Sequence, residues 1–554
     1  MKVRLSLERE GKESDMEERR RFTKRDYLWL SVVLALVVVS MPYGCAPALT
    51  PTETPMPAAP TPTDTPVPVA PTPTSTPVGP FGTITVLQGF DVNTTDPHQL
   101  NARFARGLLT HAFQGLVGID ADGQIVPLLA ESWENPDDLT WTFHLRQDVQ
   151  FHNGERFDAS AAVYSLDRFV DPDINNNYAG DLAQMDSVEV VDDYTIKLTT
   201  KEPFSPLLEM LALVFMVPPE ATESLGDDFG FQGIGTGPFK ILEWVPGEHL
   251  TMEANEAYWG TIPRIKTVVW RPVDEPSTRL VELRTGAADI IYPMTVMDVP
   301  ALEDTDAAPV TRESSWRLYV FLNCGKPPFD NKQVRQAVNY AVDKEQIVES
   351  LLQGAGYLLN GPLISGMEGY SEALDPYPYD PGRARELLAE GGYPDGFEFT
   401  LLTLSGRYVK DKEIAEAIAG YLGDVGIDVQ VEVVEYGLFI EQVVSRESDA
   451  FSVGTTTLST QGVYGSQLYS AEPGFAWQNY VNEEFDRLYK KAVGTMNASE
   501  REQTYQEATK LIRDDAPFIF LHSQQDIYGV NNRVEGFEPR VDGQIWLGSV
   551  SVSE

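Results

Sequence analysis

The sequence predicts a mixed α/β protein of more than one lobe. Three observations carry this expectation. At 554 residues the chain is longer than an ordinary single domain. From Phe81 onward, period-2 apolar stretches alternate with amphipathic helical ones, and no internal repeat is visible. With 42% hydrophobic and 10% aromatic residues, there is enough apolar material for sizeable cores.

The chain opens on targeting signals. Residues 17–26, "EERRRFTKRD", are basic, and an apolar run follows from Tyr27 to Met41. That run is shorter than the roughly 20 residues of a membrane span and has the n-region and h-region layout of an export signal. The stretch Arg19-Arg20-Arg21-Phe22-Thr23-Lys24 resembles the twin-arginine export pattern, with an ordinary secretory signal as the alternative. Cys45 follows small Gly44 directly after the h-region, as in the lipobox of bacterial lipoproteins, although Pro42 stands where that pattern prefers Leu. Cleavage before Cys45 would make it the lipid attachment point of residues 45–80 and leave Cys324 as the only other thiol; a soluble secreted protein is the alternative. The Thr-Pro tract behind it has nothing to bury. Proline fixes φ and removes donors, so an extended polyproline conformation is expected. At about 3.1 Å per residue, some thirty residues reach on the order of 90 Å, a stalk that clears a membrane. Its threonines are candidates for O-linked sugars, and a linker without a set function is the other reading.

Folded sequence begins near Phe81. "GTITVLQGF" (82–90) is β-rich and ends on Gly89. "LTWTFHLRQDVQFHNG" (139–154) reads as two period-2 strands, with Trp141, Phe143 and Leu145 on one face. "ASAAVYSLDRFV" (159–170) is helical, and "SVEVVDDYTIKLTTK" (187–201) is a hairpin around Asp192-Asp193. Near the C-terminus, "EEFDRLYKKAV" and "SEREQTYQEATKLIRDDAP" are amphipathic helices, and Ser499 is a candidate cap for the second.

Charge and motif content exclude several functions. The formal net charge of −41 repels nucleic acid and anionic headgroups, so no nucleic-acid partner is expected. Two cysteines give no disulfide framework and no CxxC metal site, and the six histidines show no HExxH spacing. No GxSxG motif occurs. Acidic residues are so plentiful that no catalytic pair stands out, although an exported glycoside hydrolase remains an alternative class. Gly235-Thr236-Gly237-Pro238-Phe239 is a turn entering a strand; no helix with Lys-Ser/Thr follows, so it is not a phosphate loop. Trp133, Trp141 and Phe143 read as core, Asn255, Tyr258, Trp259 and Gly260 as a packed turn, and Val334-Arg335-Gln336-Ala337 as an architectural helix start.

Several of these segments resemble one family. "LAESWENPDDLTWTFHLRQDVQFHNGERFDASAAVYSLDRFVDP" (129–172) is similar to the signature region of the family 5 extracellular solute-binding proteins, the peptide- and nickel-type receptors of ABC importers. The resemblance continues through 233–260, 278–290, 322–356 and 379–402, and ends in "YQEATKLIRDDAPFIFLH". It implies a two-lobed, type II periplasmic-binding-protein clamp with an extra inserted domain. Residues 1–44 would be the export signal and 45–80 the lipidated cysteine and tether. Lobe I would comprise 81–119, 225–315 and 525–554, the inserted domain 120–224, and lobe II 316–524. Hinges are expected near Ser315–Tyr319 and His522–Asp526. The implied activity is capture of a solute between the lobes without chemical turnover, by a monomer that needs no cofactor or metal. Its partners would be an ABC permease and its ATPase subunits, and its place the outer face of the membrane.

Site residues carry over from the same resemblance. The loop Gly89–Asn93 offers Asp91 and Asn93, the inserted domain Tyr178, the segment after "GAADI" Tyr292, and the interlobe strand Trp316 and Tyr319. One departure bears on the solute. Many peptide-binding members carry an Asp in lobe II that pairs with the peptide's α-amino group. Leu458 stands there in "FSVGTTTLSTQGVYG", and no acid occurs between Phe451 and Tyr469. Either the anchor comes from elsewhere, with Asp91 the candidate, or the ligand has no free amino terminus. Hydroxyls of Thr455, Thr456 and Thr457 suit an oligosaccharide. An oligopeptide is the expected solute and an oligosaccharide the alternative.

Overall fold

The computed structural model describes residues 79–100, 103–470 and 477–553. The expected export signal, Cys45 and nearly all of the tether lie outside the described residues.

One sheet of eleven strands runs through both lobes. Its first half is built around Phe81–Gln88, which lies parallel between Ile265–Pro272 and Ile290–Tyr292. His249–Ala254 and Phe239–Val245 extend that side antiparallel. The opening strand is flanked by partners on both edges. Its Ile84, Val86 and Leu87 are fully buried, as central strands covered on both faces require. Two long strands, Ala307–Leu322 and Phe518–Asn531, pair antiparallel and carry the sheet across. Beyond them Ala450–Thr455, Glu398–Thr403 and Asp428–Val433 complete the second half, and Gly356–Leu358 adds to Phe518–Asn531.

The pairing of the two long strands breaks where the halves meet. Glu313 opposes Gln525, but the next pair is Arg317 with Ser523, so Ser314, Ser315 and Trp316 face only Gln524. A bulge of this kind bends the ladder and frees it from strict register. It overlaps the stretch Ser315–Tyr319 in which a hinge is expected.

The inserted domain has its own antiparallel sheet, in the order Ala130–Asp137, Thr140–Leu145, Thr195–Thr200, Met185–Asp192. The helix Ala159–Val170 covers it. Asp158 caps that helix by accepting from the N–H groups of Ser160 and Ala161, which places its start where the apolar period begins. Trp141, Phe143, Leu166, Phe169, Ile196 and Leu198 form the core between helix and sheet, and Trp133 packs on its margin.

Two local expectations shift. The second strand expected within 139–154 is replaced by a turn: Asp148 has φ +63°, and only Gln150 and Arg156 form a bridge. Val149 and Phe151 are nevertheless buried, so the alternation reflected packing of a loop rather than a strand. The last helix spans Ala498–Asp515 and is capped by Asn497, not Ser499, because the Asn497 side chain accepts from the N–H of Glu500.

The Gly-rich turn has a packing role. A Cβ on Gly235 would lie 2.1 Å from the carbonyl oxygen of Ala112, and one on Gly237 would lie 2.4 Å from that of His111. Asn255 donates to the Gly237 carbonyl and accepts from the N–H of Ala257, and Trp259 donates to Gln114.

Candidate functional site

The lobes and the inserted domain enclose a cavity of about 2220 Å³. The first lobe contributes Arg106, Asp542 and Gln544. The inserted domain contributes the loop after Ala159–Val170 and the segment around Glu209. The second lobe contributes 365–373 and the run from Val453 to Gln467. The inserted domain also touches the second lobe directly: the N–H of Ser205 donates to Val493 O at 2.8 Å, and Ser205 Oγ donates to Ala492 O at 3.3 Å.

Carboxylates outnumber cations on the cavity wall, where Arg106, Lys490 and Arg501 are the basic side chains among the described residues. Arg501 is engaged by both oxygens of Glu368, at 2.8 and 2.9 Å, and by the carbonyls of Thr495 and Met496. The Arg106 guanidinium lies over the rings of Tyr178 and Phe215, at 5.3 and 5.7 Å. Glu209 is the unusual acid. Burial pushes its carboxyl up to about 7; Ser459, by a side-chain hydrogen bond, and the charge of Arg501 hold it down, while Glu368 adds to the upward shift. The residue as a whole is only partly buried, yet its Oε2 is closed off from solvent and has no hydrogen-bond partner.

The residues expected at the site are placed unevenly. Thr455 and Thr456 line the cavity, with Thr457 and Leu458 beside them. Thr455 Oγ1 is buried without a partner, and Thr456 Oγ1 lies 3.2 Å from Ser315 Oγ at the strand crossing. Trp316, Tyr292 and Thr456 meet around a second space of about 50 Å³. Trp316 packs edge-on against Tyr408 at 5.8 Å, and both rings crowd Gly454, where a Cβ would lie 2.8 Å from Tyr408. Tyr292 stacks on Tyr528 at 4.6 Å and donates to Asp526 Oδ1. Tyr178 is buried under Arg106, behind the cavity-lining residues Asn177 and Ala179.

Of the residues expected there, only the threonines line the large cavity, and Asp91, Asn93 and Tyr319 line neither space. Asp91 Oδ2 accepts from the N–H of Gly247 at 2.6 Å, and Asn93 donates to Gln99 O, both on the outside of the first lobe. Tyr319 sits in the core of the second lobe between Phe518 and Phe520 and donates to Pro362 O. Sequence reasoning missed Glu209. Its signal was present, since it is the lone charge in the apolar run from Leu207 to Val217.

Residues 124–476 match the family model described as bacterial extracellular solute-binding proteins, family 5, middle. The chain belongs to this family. A glutathione-binding protein, GsiB of Pectobacterium atrosepticum, is 32% identical over 464 residues, 81% of this chain and 90% of that protein. Among solved structures, HbpA2 of Haemophilus parasuis matches with a TM-score of 0.79 and 25% identity, over 85% of this chain and 100% of that one. The periplasmic binding protein DppA of Helicobacter pylori, in complex with the peptide STSA, matches with a TM-score of 0.68 and 26% identity, over 84% and 98%. The family 5 fold is therefore the two-lobed type II clamp with its inserted domain, and the chain is an extracytoplasmic solute-binding component of an ABC importer. Its relatives are binding proteins rather than enzymes. No helix among the described residues is long and apolar enough to cross a membrane, and no group of described side chains there could hold a metal ion.

Proposed function

We propose that this protein captures a short peptide, or a solute built like one, between its lobes and hands it unaltered to a membrane permease. The cavity carries this reading. Sites for small ligands commonly enclose about 300–1,000 Å³, so one of about 2220 Å³ has room for several residues and their water. Relatives named for glutathione and solved with a peptide support the same class. The working units are lobe I (81–119, 225–315, 525–554), the inserted domain (120–224) and lobe II (316–524). Separate apolar clusters for the inserted domain and for the outer part of lobe I support this division. The bulge at Ser314–Trp316 is the hinge, and closure follows contacts available only when the lobes meet.

A thermal-shift panel of di- to hexapeptides, oligosaccharides and metal chelates tests the assignment. Peptides are expected to stabilise the protein. Stabilisation by oligosaccharides alone would move the solute to sugars, and steady hydrolysis of any bound member would make the chain an enzyme. The position of Cys45 supports a lipid-anchored monomer on a Thr-Pro stalk. Cys45→Ala is then expected to release the protein from membranes; an unmodified, already soluble wild type would contradict the anchor.

A further inference from the structure

Among the described residues, two buried carboxyl groups keep an oxygen without a hydrogen-bond partner, Glu209 and Asp526. Asp526 receives the hydroxyl of Tyr292 on its other oxygen and does not line the large cavity. Glu209 does line it. Buried acids elsewhere are satisfied. Asp96 is held by Arg168 at 3.1 and 2.6 Å, and Asp289 receives Arg533 and the N–H of Thr85. Asp411 collects the N–H groups of Gly406, Arg407 and Tyr408. An acceptor closed off from water and left unpaired is costly, and a native fold retains one chiefly where a function needs it.

The surroundings of Glu209 define what it lacks. The facing wall belongs to the second lobe and brings Ser459, Glu368, Arg501 and the ring of Tyr505. Arg501, the nearby cation, is committed to Glu368 and two carbonyls. The run from Phe451 to Tyr469 on that wall contains no acid; Glu209, from across the cleft, brings a carboxyl to Ser459, with Glu368 close by. Two further lining residues, each more than nine-tenths buried, hold polar atoms without partners: Thr455 Oγ1 and Gln467 Oε1. The cavity wall thus holds acceptors that lack donors just beneath its surface, among side chains already rich in negative charge.

We infer that Glu209 is the counter-ion for a ligand amino group, and that this protein selects peptides carrying a free ammonium. The inference rests on the peptide reading above and sharpens it. An ammonium brings both the donor and the positive charge that Glu209 Oε2 lacks, and that oxygen would gain a charged partner only when ligand is bound. The amine is either a peptide's α-amino group or a lysine side chain, and both present the same chemistry.

The test is titration calorimetry at pH 8 with trialanine to pentaalanine, their N-acetylated forms, and N-acetylated forms with one lysine, on wild type and Glu209→Gln. Free peptides are expected to bind wild type about tenfold to a hundredfold more tightly than acetylated ones, the size of a charge-assisted hydrogen bond. The glutamine variant should bring the two close to parity. Recovery of affinity by the lysine-bearing acetylated forms would assign the amine to a side chain; failure to recover it would assign the α-amino group. At pH 7, binding to wild type should release protons, seen as heats that vary with buffer ionisation, because an ammonium favours the charged carboxylate over its protonated form. Equal binding of free and all acetylated peptides by wild type, or a preference for the amine that survives Glu209→Gln, would overturn the anchor and leave the peptide reading standing. Absence of binding by every peptide would overturn both.

Discussion

The inserted domain has two interfaces, and they are built in opposite ways. Against the first lobe it is bolted. Arg168 and Asp96 form a buried ion pair, His98 Nε2 lies 2.8 Å from Phe215 O, and His152 and the Gly235–Gly237 turn are joined by backbone and ring hydrogen bonds. The polar groups named here find their partners within the joint. Against the second lobe its polar contacts are few: Ser205 bonds to Val493 and Ala492, Val493 and Met496 pack on its core, and the Glu209 carboxyl keeps Oε2 without a hydrogen-bond partner. A joint that must not move satisfies its polar groups internally. A face that opens and closes around a solute leaves some of that work to the solute.

The largest expected effect breaks the bolted side. Arg168→Met leaves Asp96 buried without its partner, and losing one member of such a pair costs about 3–5 kcal/mol. Denaturant unfolding should show that loss; a change below about 1 kcal/mol would mean that the joint does not depend on the pair.

Acidity should act on the two interfaces with opposite signs. Burial lowers His98 from 6.5 to about 4, so the folded protein keeps it neutral. Its contribution is present above pH 6.5 and is lost as pH falls through about 4, at most roughly 3 kcal/mol. Glu209 runs the other way. Its folded value of about 7 lies above its ordinary 4.5, so its contribution is full below 4.5 and is lost as pH rises through 7. Thermal unfolding of His98→Asn and Glu209→Gln against wild type, across pH 4 to 8, separates the two. The histidine variant should flatten the acid limb and the glutamine variant the neutral limb. Unaltered profiles in both would remove these groups from the comparison.

Gly235→Ala is a smaller break, made inside the first lobe in the turn that holds His152 of the inserted domain. The added methyl meets a backbone carbonyl that cannot swing away, and overpacking of this kind costs about 1–3 kcal/mol. A fully wild-type melting temperature would show that the turn has slack. Smallest is Ser205→Ala, which removes one hydroxyl bond to Ala492. Global stability should hold, while peptide affinity falls by about two- to fivefold, the worth of a single neutral hydrogen bond in the closed form. A drop in stability with unchanged affinity would make Ser205 part of a fixed joint instead.

Much of this was legible in the sequence where the signal is local. The helix at Ala159–Val170 and the hairpin around Asp192-Asp193 follow from a cap, a period and a turn pair within a few residues. The mixed α/β architecture followed from the same kind of pattern, and the clamp from ordered family segments. The site was less legible because it is assembled from distant pieces. Alternation along Ala307–Leu322 does not tell which side chains reach the cavity, since the breaks at Glu313/Arg317 and Leu318/Tyr319 change the parity of the strand. Trp316 and Tyr319, three residues apart, face opposite sides of the strand, so Trp316 meets the small space by Thr456 while Tyr319 goes to the core. Asp91 was attractive as an acid in a loop, but its partner Gly247 is 156 residues away and visible only in the fold. Glu209 was hidden in plain view, as a charge inside an apolar run reads as a helix surface until the opposite wall is known.

The central claim is that the sparse interface closes on a solute while the bolted one stays fixed, and solution scattering tests it most directly. The radius of gyration of the wild type, freed of ligand by unfolding and refolding, is compared with that of the same protein saturated with a mixed tri- to hexapeptide digest. The account predicts a smaller radius with peptide, with the peptides recovered intact afterwards. Saturation without any compaction, or recovery of the peptides cleaved, would contradict it.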